Sequence, residues 1–181
     1  MPRIPVHTPE DAPDDSREAL NRLARRFGGK VMNIHGEMAH SPAVLNGYVA
    51  IQDAIRDHGT FDPQTREAVA LAVGAVDQCD YCQAAHTAGA RAVGMEDDDI
   101  LAARSGAAGA SAQVDALLAI VRAYTSDVGN VPDELWNAGL AAGWSDAQLA
   151  EVSIHVTVNM LTNYFNHYVH TDLDLPAAPP L

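Results

Sequence analysis

Apolar residues recur three and four apart along most of this chain, the spacing of one helix face, and no stretch alternates apolar and polar convincingly enough to read as a strand. Start and stop signals divide the pattern into helices. Asp15 with Glu18 placed as a capping box opens the first, Leu20, Leu23, Ala24 and Phe27 form its inner face, and Gly28-Gly29 ends it. A short helix over Val31 to Met38 follows. Ser41-Pro42 and Asp62-Pro63 each pair an N-cap residue with proline at the first helical position, opening a helix through Leu45, Val49, Gln52 and Ile55 and another over Pro63 to Val76. The latter is apolar nearly all round, so it belongs in a core. Further helices are predicted from the cysteine segment to Gly94, over Glu96 to Arg104, from Ser111 through Tyr124, over Pro132 to Ala141, and from a Ser145 cap to about His170.

The expected architecture is all-α, one domain over residues 1–181. About 1–14 and about 171–181 form extended arms, because proline punctuates both. The net charge of −13 leaves no surplus of Lys and Arg to neutralise phosphates or anionic lipid, which excludes nucleic acid and membrane surfaces as partners. No apolar run has the length of a membrane span and no apolar segment follows Met1-Pro2-Arg3, so a reducing cytoplasm is the expected compartment.

There, the two cysteines change the picture. They are Cys79 and Cys82, in Cys79-Asp80-Tyr81-Cys82, with His86 four residues on. Two cysteines placed at random would show this spacing roughly one time in a hundred. A thiol near a helix start is acidified by the unpaired N–H groups and the dipole, which favours Cys79 as the more acidic; Cys82 shares a face with His86 at i, i+4, which favours Cys82 as the nucleophile. We take Cys82. Glu67, on the preceding apolar helix, lies level with that turn if the two helices pack antiparallel, and a carboxylate there calls for a partner such as the imidazole. A zinc site of Cys79, Cys82, His86 and Glu67 is the metal alternative, disfavoured because the chain has ample core without one, and two small apolar core residues is the inert reading.

The string Glu67, Cys79-x-x-Cys82, His86, with its twelve-residue gap, resembles the motif of the AhpD-like alkylhydroperoxidases in the carboxymuconolactone decarboxylase superfamily. Asn163-Tyr164-Phe165-Asn166-His167 resembles the C-terminal part of its peroxidase-related branch. The resemblance implies an AhpD-like helical bundle assembling as trimers or hexamers, and a cofactor-free peroxide reductase. Cys82 would attack hydrogen peroxide or an organic hydroperoxide, Cys79 would close the disulfide, Glu67 and His86 would relay the proton, and an external dithiol would reopen the bridge. Tyr81 stands where family members carry histidine; a phenol can donate a hydrogen bond but is a poor base near neutrality.

The alternatives are a dithiol–disulfide oxidoreductase acting on a protein partner, a lactone enzyme of the carboxymuconolactone decarboxylase kind, and a non-catalytic scaffold. On the last helix His155, Asn159, Asn163, Asn166 and His170 step by three or four along one face. The expectation is a solvated face or polar subunit contacts, with Asn163 and His167 as residues that could reach the thiol pocket. His35 and His40 are expected at a pocket rim, and Asp97-Asp98-Asp99 as a charged helix start.

Overall fold

A computed structural model describes residues 1–109 and 111–181. Among them the chain forms nine helices and no strand: α1 (Asp14–Arg26), α2 (Asn33–Met38), α3 (Pro42–His58), α4 (Pro63–Val76), α5 (Asp80–Ala92), α6 (Asp97–Ser105), α7 (Ala112–Ser126), α8 (Asp133–Ala141) and α9 (Asp146–Val169). The helix starts follow local chemistry. Ser41, Asp62 and Ser111 each accept a hydrogen bond from the backbone N–H three residues on. Ser145 and Gln148 complete a capping box. α1 differs from expectation. Its N-cap is Pro13, with no side-chain cap, and Asp14 and Asp15 lie inside the first turn, where carboxylates favour the positive end of the helix dipole. Ser16 turns inward to donate to the Ala39 carbonyl at 2.8 Å.

α4 is the central element, packed by α5, α6, α7 and α9, which is why its sequence is apolar on most sides. One apolar cluster joins α4 to α6, α7 and the first half of α9 through Val69, Leu71, Leu117, Ile120 and Val152. A second joins α1, α2 and α3 to the start of α5 through Leu20, Met38, Leu45, Val49, Cys79 and Cys82. Both ends of the chain are extended and tied to the second cluster's side of the molecule. Arg3 N–H donates to the Val169 carbonyl and His7 N–H to the Gly36 carbonyl. At Gly36 a Cβ would meet Val6 at 2.4 Å, so only glycine admits the N-terminal arm so closely. The C-terminal arm is held through Asp174, whose carboxylate meets Lys30 Nζ at 3.0 Å and accepts from Tyr81 Oη at 2.8 Å. No helix among the described residues is long and apolar enough to cross a membrane.

Candidate active site

The turn from α4 to α5 brings the cysteines to the centre of the second cluster. Asp77 continues the helical conformation and Gln78 takes a left-handed one (φ 53°), an uncommon backbone state for a residue with a side chain. That single reversal lays α5 antiparallel on α4. Gln83 Nε2 donates to the Leu71 carbonyl, and one turn along Glu67 Oε2 meets His86 Nδ1 at 2.8 Å. A Cβ at Gly89 would come within 2.8 Å of the Glu67 carboxylate, so the glycine makes the room that this carboxylate occupies.

Cys79 is the N-cap of α5, and its sulfur accepts the Cys82 backbone N–H at 3.3 Å. The two sulfurs, as free thiols, lie 2.6 Å apart. From α9, Asn166 Nδ2 donates to Cys82 Sγ at 3.3 Å and to Cys79 Sγ at 3.7 Å. These donors divide the pair. The Cys82 thiol, bonded to Cys79, is the largest influence lowering Cys79 from 9.0 to about 7; burial opposes it, and the Cys82 N–H, Asn166 and His167 assist. Cys82 is pushed well up, first by that same bond and then by burial. Of the two adjacent thiols Cys79 is therefore the more acidic. Both residues are closed to bulk solvent, at 2% and 3% exposure.

The structure brings Glu67 and His86 together, and Cys79 and Cys82 together, but it does not join the pairs by a hydrogen bond. The polar neighbours of the Cys82 sulfur are Cys79, Asn166 and the Thr162 hydroxyl, and not His86. This corrects the expectation drawn from i, i+4 spacing: the imidazole turns across to α4, where a carboxylate offers it a charge-assisted bond. Asn163 and His167 reach the turn rather than the sulfurs. Asn163 Nδ2 donates to Asp77 Oδ2 and His167 Nε2 meets the Asp77 carbonyl, each at 2.8 Å. Burial pushes the Asp77 carboxyl up, against the opposing pull of Asn163 and His167. Tyr81 points its hydroxyl to Asp174, and burial holds its ionisation far above the usual range.

The polar stripe of α9 is likewise not a solvated face. His155, Asn159, Asn163 and Asn166 are buried, and only His170 is exposed. Asn166, expected from the sequence only as part of that polar stripe, is the residue that reaches the sulfurs. Its signal was a third carboxamide in step with Asn159 and Asn163 along one face of α9. His35 is inside rather than at a rim, beside Phe27 and Tyr48. Among the described residues no group of three or more His, Cys, Asp or Glu side chains converges as a metal site would.

Beside the relay pair lies a cavity of about 380 Å³, to which His86 and Glu67 contribute together with Arg26, Arg56, Arg66 and Asn159.

Residues 42–125, from α3 to α7, match the carboxymuconolactone decarboxylase family. Among solved structures, the AhpD core of an uncharacterized peroxidase-related protein from Ralstonia eutropha JMP134 superposes with a TM-score of 0.85 at 22% identity, over 96% of this chain and 92% of that one. A peroxidase-related protein from Silicibacter sp. TM1040 gives 0.75 at 18%, over 94% and 93%. The debrominase Bmp8, in complex with 2,3,4-tribromopyrrole, gives 0.79 at 14%, over 94% and 91%. No curated protein matches the chain.

Proposed function

We propose that this chain, whose residues 42–125 match the carboxymuconolactone decarboxylase family and whose fold is AhpD-like, is a thiol-dependent peroxidase for hydrogen peroxide or small organic hydroperoxides. The observation that carries the reading is the adjacency of the Cys79 and Cys82 sulfurs at the start of α5, with the Asn166 amide and the Cys82 backbone N–H donating to them, which lowers the Cys79 thiol below its usual range. The two sulfurs are neighbours and exchange a proton in this reading, so either one can present the anion. Cys82 is the proposed nucleophile. Its thiolate is the more basic and hence intrinsically the more nucleophilic, and His86 stands one turn beyond it.

The Cys82 thiolate attacks the distal oxygen of the peroxide, and the O–O bond breaks. Cys82 becomes a sulfenic acid and the alkoxide leaves. The alkoxide takes a proton from His86, held by Glu67, which restores the one lost when the dithiol ionised. Cys79, now the thiol, attacks the sulfenic sulfur; the S–S bond forms and water departs. An external dithiol then exchanges with the bridge and is itself oxidised. No cofactor enters these steps. Burial of both sulfurs suits a small peroxide better than a protein disulfide, which supports peroxidase activity over the oxidoreductase alternative. A reducing cytoplasm and assembly as trimers or hexamers go with this reading.

The test is mass spectrometry after one equivalent of peroxide. The expected result is a loss of two hydrogens confined to the peptide holding Cys79 and Cys82; unchanged free thiols would overturn the proposal. In Cys79→Ser a sulfenic-acid trap is expected on Cys82. Label found on Cys79 in Cys82→Ser, with none in Cys79→Ser, would reverse the order of attack.

A further inference from the structure

The cavity beside His86 runs against the charge of the whole molecule. In a chain of net charge −13 with 11 basic residues, Arg26, Arg56 and Arg66 all line it, from α1, α3 and α4. Their engagement differs. Arg56 is bound on both sides, Nη1 at 2.5 Å from Asp53 and Nε at 2.8 Å from Asp57. Arg26 stands 3.9 Å from Asp53, a carboxylate that Arg22 and Arg56 already hold more closely. Arg66, half-buried one residue before Glu67, donates its backbone N–H to the Asp62 carbonyl, while its guanidinium makes no hydrogen bond or ion pair among the described residues. The group that feels its charge is His155, which is bonded to Glu151 and kept below its usual pKa chiefly by burial. A guanidinium part-withdrawn from water and facing a cavity is a vacant anion fork.

The rest of the wall suits the body of an organic molecule. Ile55, Pro63, Ala70 and Val158 give it apolar surface, and about 380 Å³ is enough for a single ring with substituents. His86 brings the thiol helix α5 to this wall. We infer that this cavity binds a small organic anion by its carboxylate at Arg66, with Arg26 adding charge, and that the preferred substrate is a carboxylate-bearing hydroperoxide whose peroxide group lies toward His86. The inference rests on the peroxidase reading above and narrows its substrate class. The carboxylate is unchanged in the reaction, and the bonds broken and formed are those already set out.

The probe is a matched pair, cumene hydroperoxide and its para-carboxylate. In the wild type the ratio of kcat/KM, anionic over neutral, is expected above one. In Arg66→Gln that ratio is expected to fall roughly tenfold to a hundredfold through KM, and Arg66→Lys should recover part of it, since it keeps the charge without the fork. Using a ratio cancels any loss of folded enzyme. Binding tests the site without turnover. Calorimetry of para-isopropylbenzoate with the reduced wild-type protein is expected to show saturable binding that weakens with salt and is lost in Arg66→Gln, whereas the neutral amide does not bind. If neither peroxide is turned over but the benzoate binds through Arg66, the peroxidase reading fails and the anion site stands. An equal ratio in wild type and Arg66→Gln, or benzoate binding indifferent to Arg66, overturns the inference and leaves the peroxidase reading untouched.

Discussion

The cluster under α4, α6, α7 and the first half of α9 is mostly aliphatic, and the buried polar groups beside it, Thr65, Arg104, Thr125 and His155, are hydrogen-bonded, whereas the one around α1, α2, α3 and the start of α5 encloses two thiols and is flanked by buried polar groups of α2 and α9. Four buried polar atoms on α2 and α9 have no protein partner there: His35 Nδ1, Glu37 Oε1, Asn163 Oδ1 and Asn166 Oδ1. Each such atom costs on the order of 1–3 kcal/mol. Burial also raises the Glu37 carboxyl, with the Thr171 hydroxyl donating to its other oxygen. The contrast separates two tasks. One half of the bundle supplies stability; the other gives some of it up to hold a thiol pair away from water with an amide aimed at the sulfurs.

Three perturbations test whether the halves are separable. The largest effect is expected from truncating the aliphatic half. Leu117, fully buried on α7, loses about 2–5 kcal/mol of stability as Leu117→Ala. The pH dependence of thiol alkylation in the folded protein should stay where it was. A stability loss accompanied by a shifted alkylation profile would join the two regions energetically.

Next is His35 in the thiol half. Burial chiefly lowers its pKa from 6.5 to about 4, with Asp174 opposing and Arg26 assisting. As pH falls through this interval the unfolded chain takes up a proton that the folded chain refuses. Stability present above pH 6.5 is therefore lost down to about pH 4, by at most about 3 kcal/mol. In His35→Leu that share of the loss disappears. The urea midpoint of the variant should rise relative to that of the wild type as pH drops from about 6.5 to about 4, and parallel curves would reject the assignment.

The smallest effect is on Asn166. Asn166→Leu removes a donor to both sulfurs and an unpartnered carbonyl oxygen together. Stability should change little, while the thiol of lower pKa rises by about one unit, read from the rate of iodoacetamide alkylation against pH. A drop in stability with an unmoved thiol would make Asn166 a structural residue only.

The helix starts were legible because capping is local: Ser41, Asp62, Ser111 and Ser145 each bind a backbone N–H three residues away, and no distant partner is needed. The start of α1 was misread for a related reason. Asp15 and Glu18 have cap chemistry, but the turn before them is set by Pro13 and by Ser16 bonding to Ala39 across 23 residues. The Glu67–His86 pair was legible once the short break implied antiparallel helices.

Hydrophobic spacing and cap residues thus determined by themselves that this chain is helical, where most helices begin, and that two thiols share one helix start with an imidazole a turn away. Tertiary structure alone decided what meets those thiols. A row of amides on α9 has the same sequence pattern whether it faces water or a core, and an i, i+4 pair has the same spacing whether or not its members bond. Which outcome holds depends on the helices packed alongside: α4 draws His86 off Cys82, α9 supplies Asn166 in its place, and the hydrogen bonds at the two sulfurs, against the pull of burial at Cys79, set which of them gives up its proton.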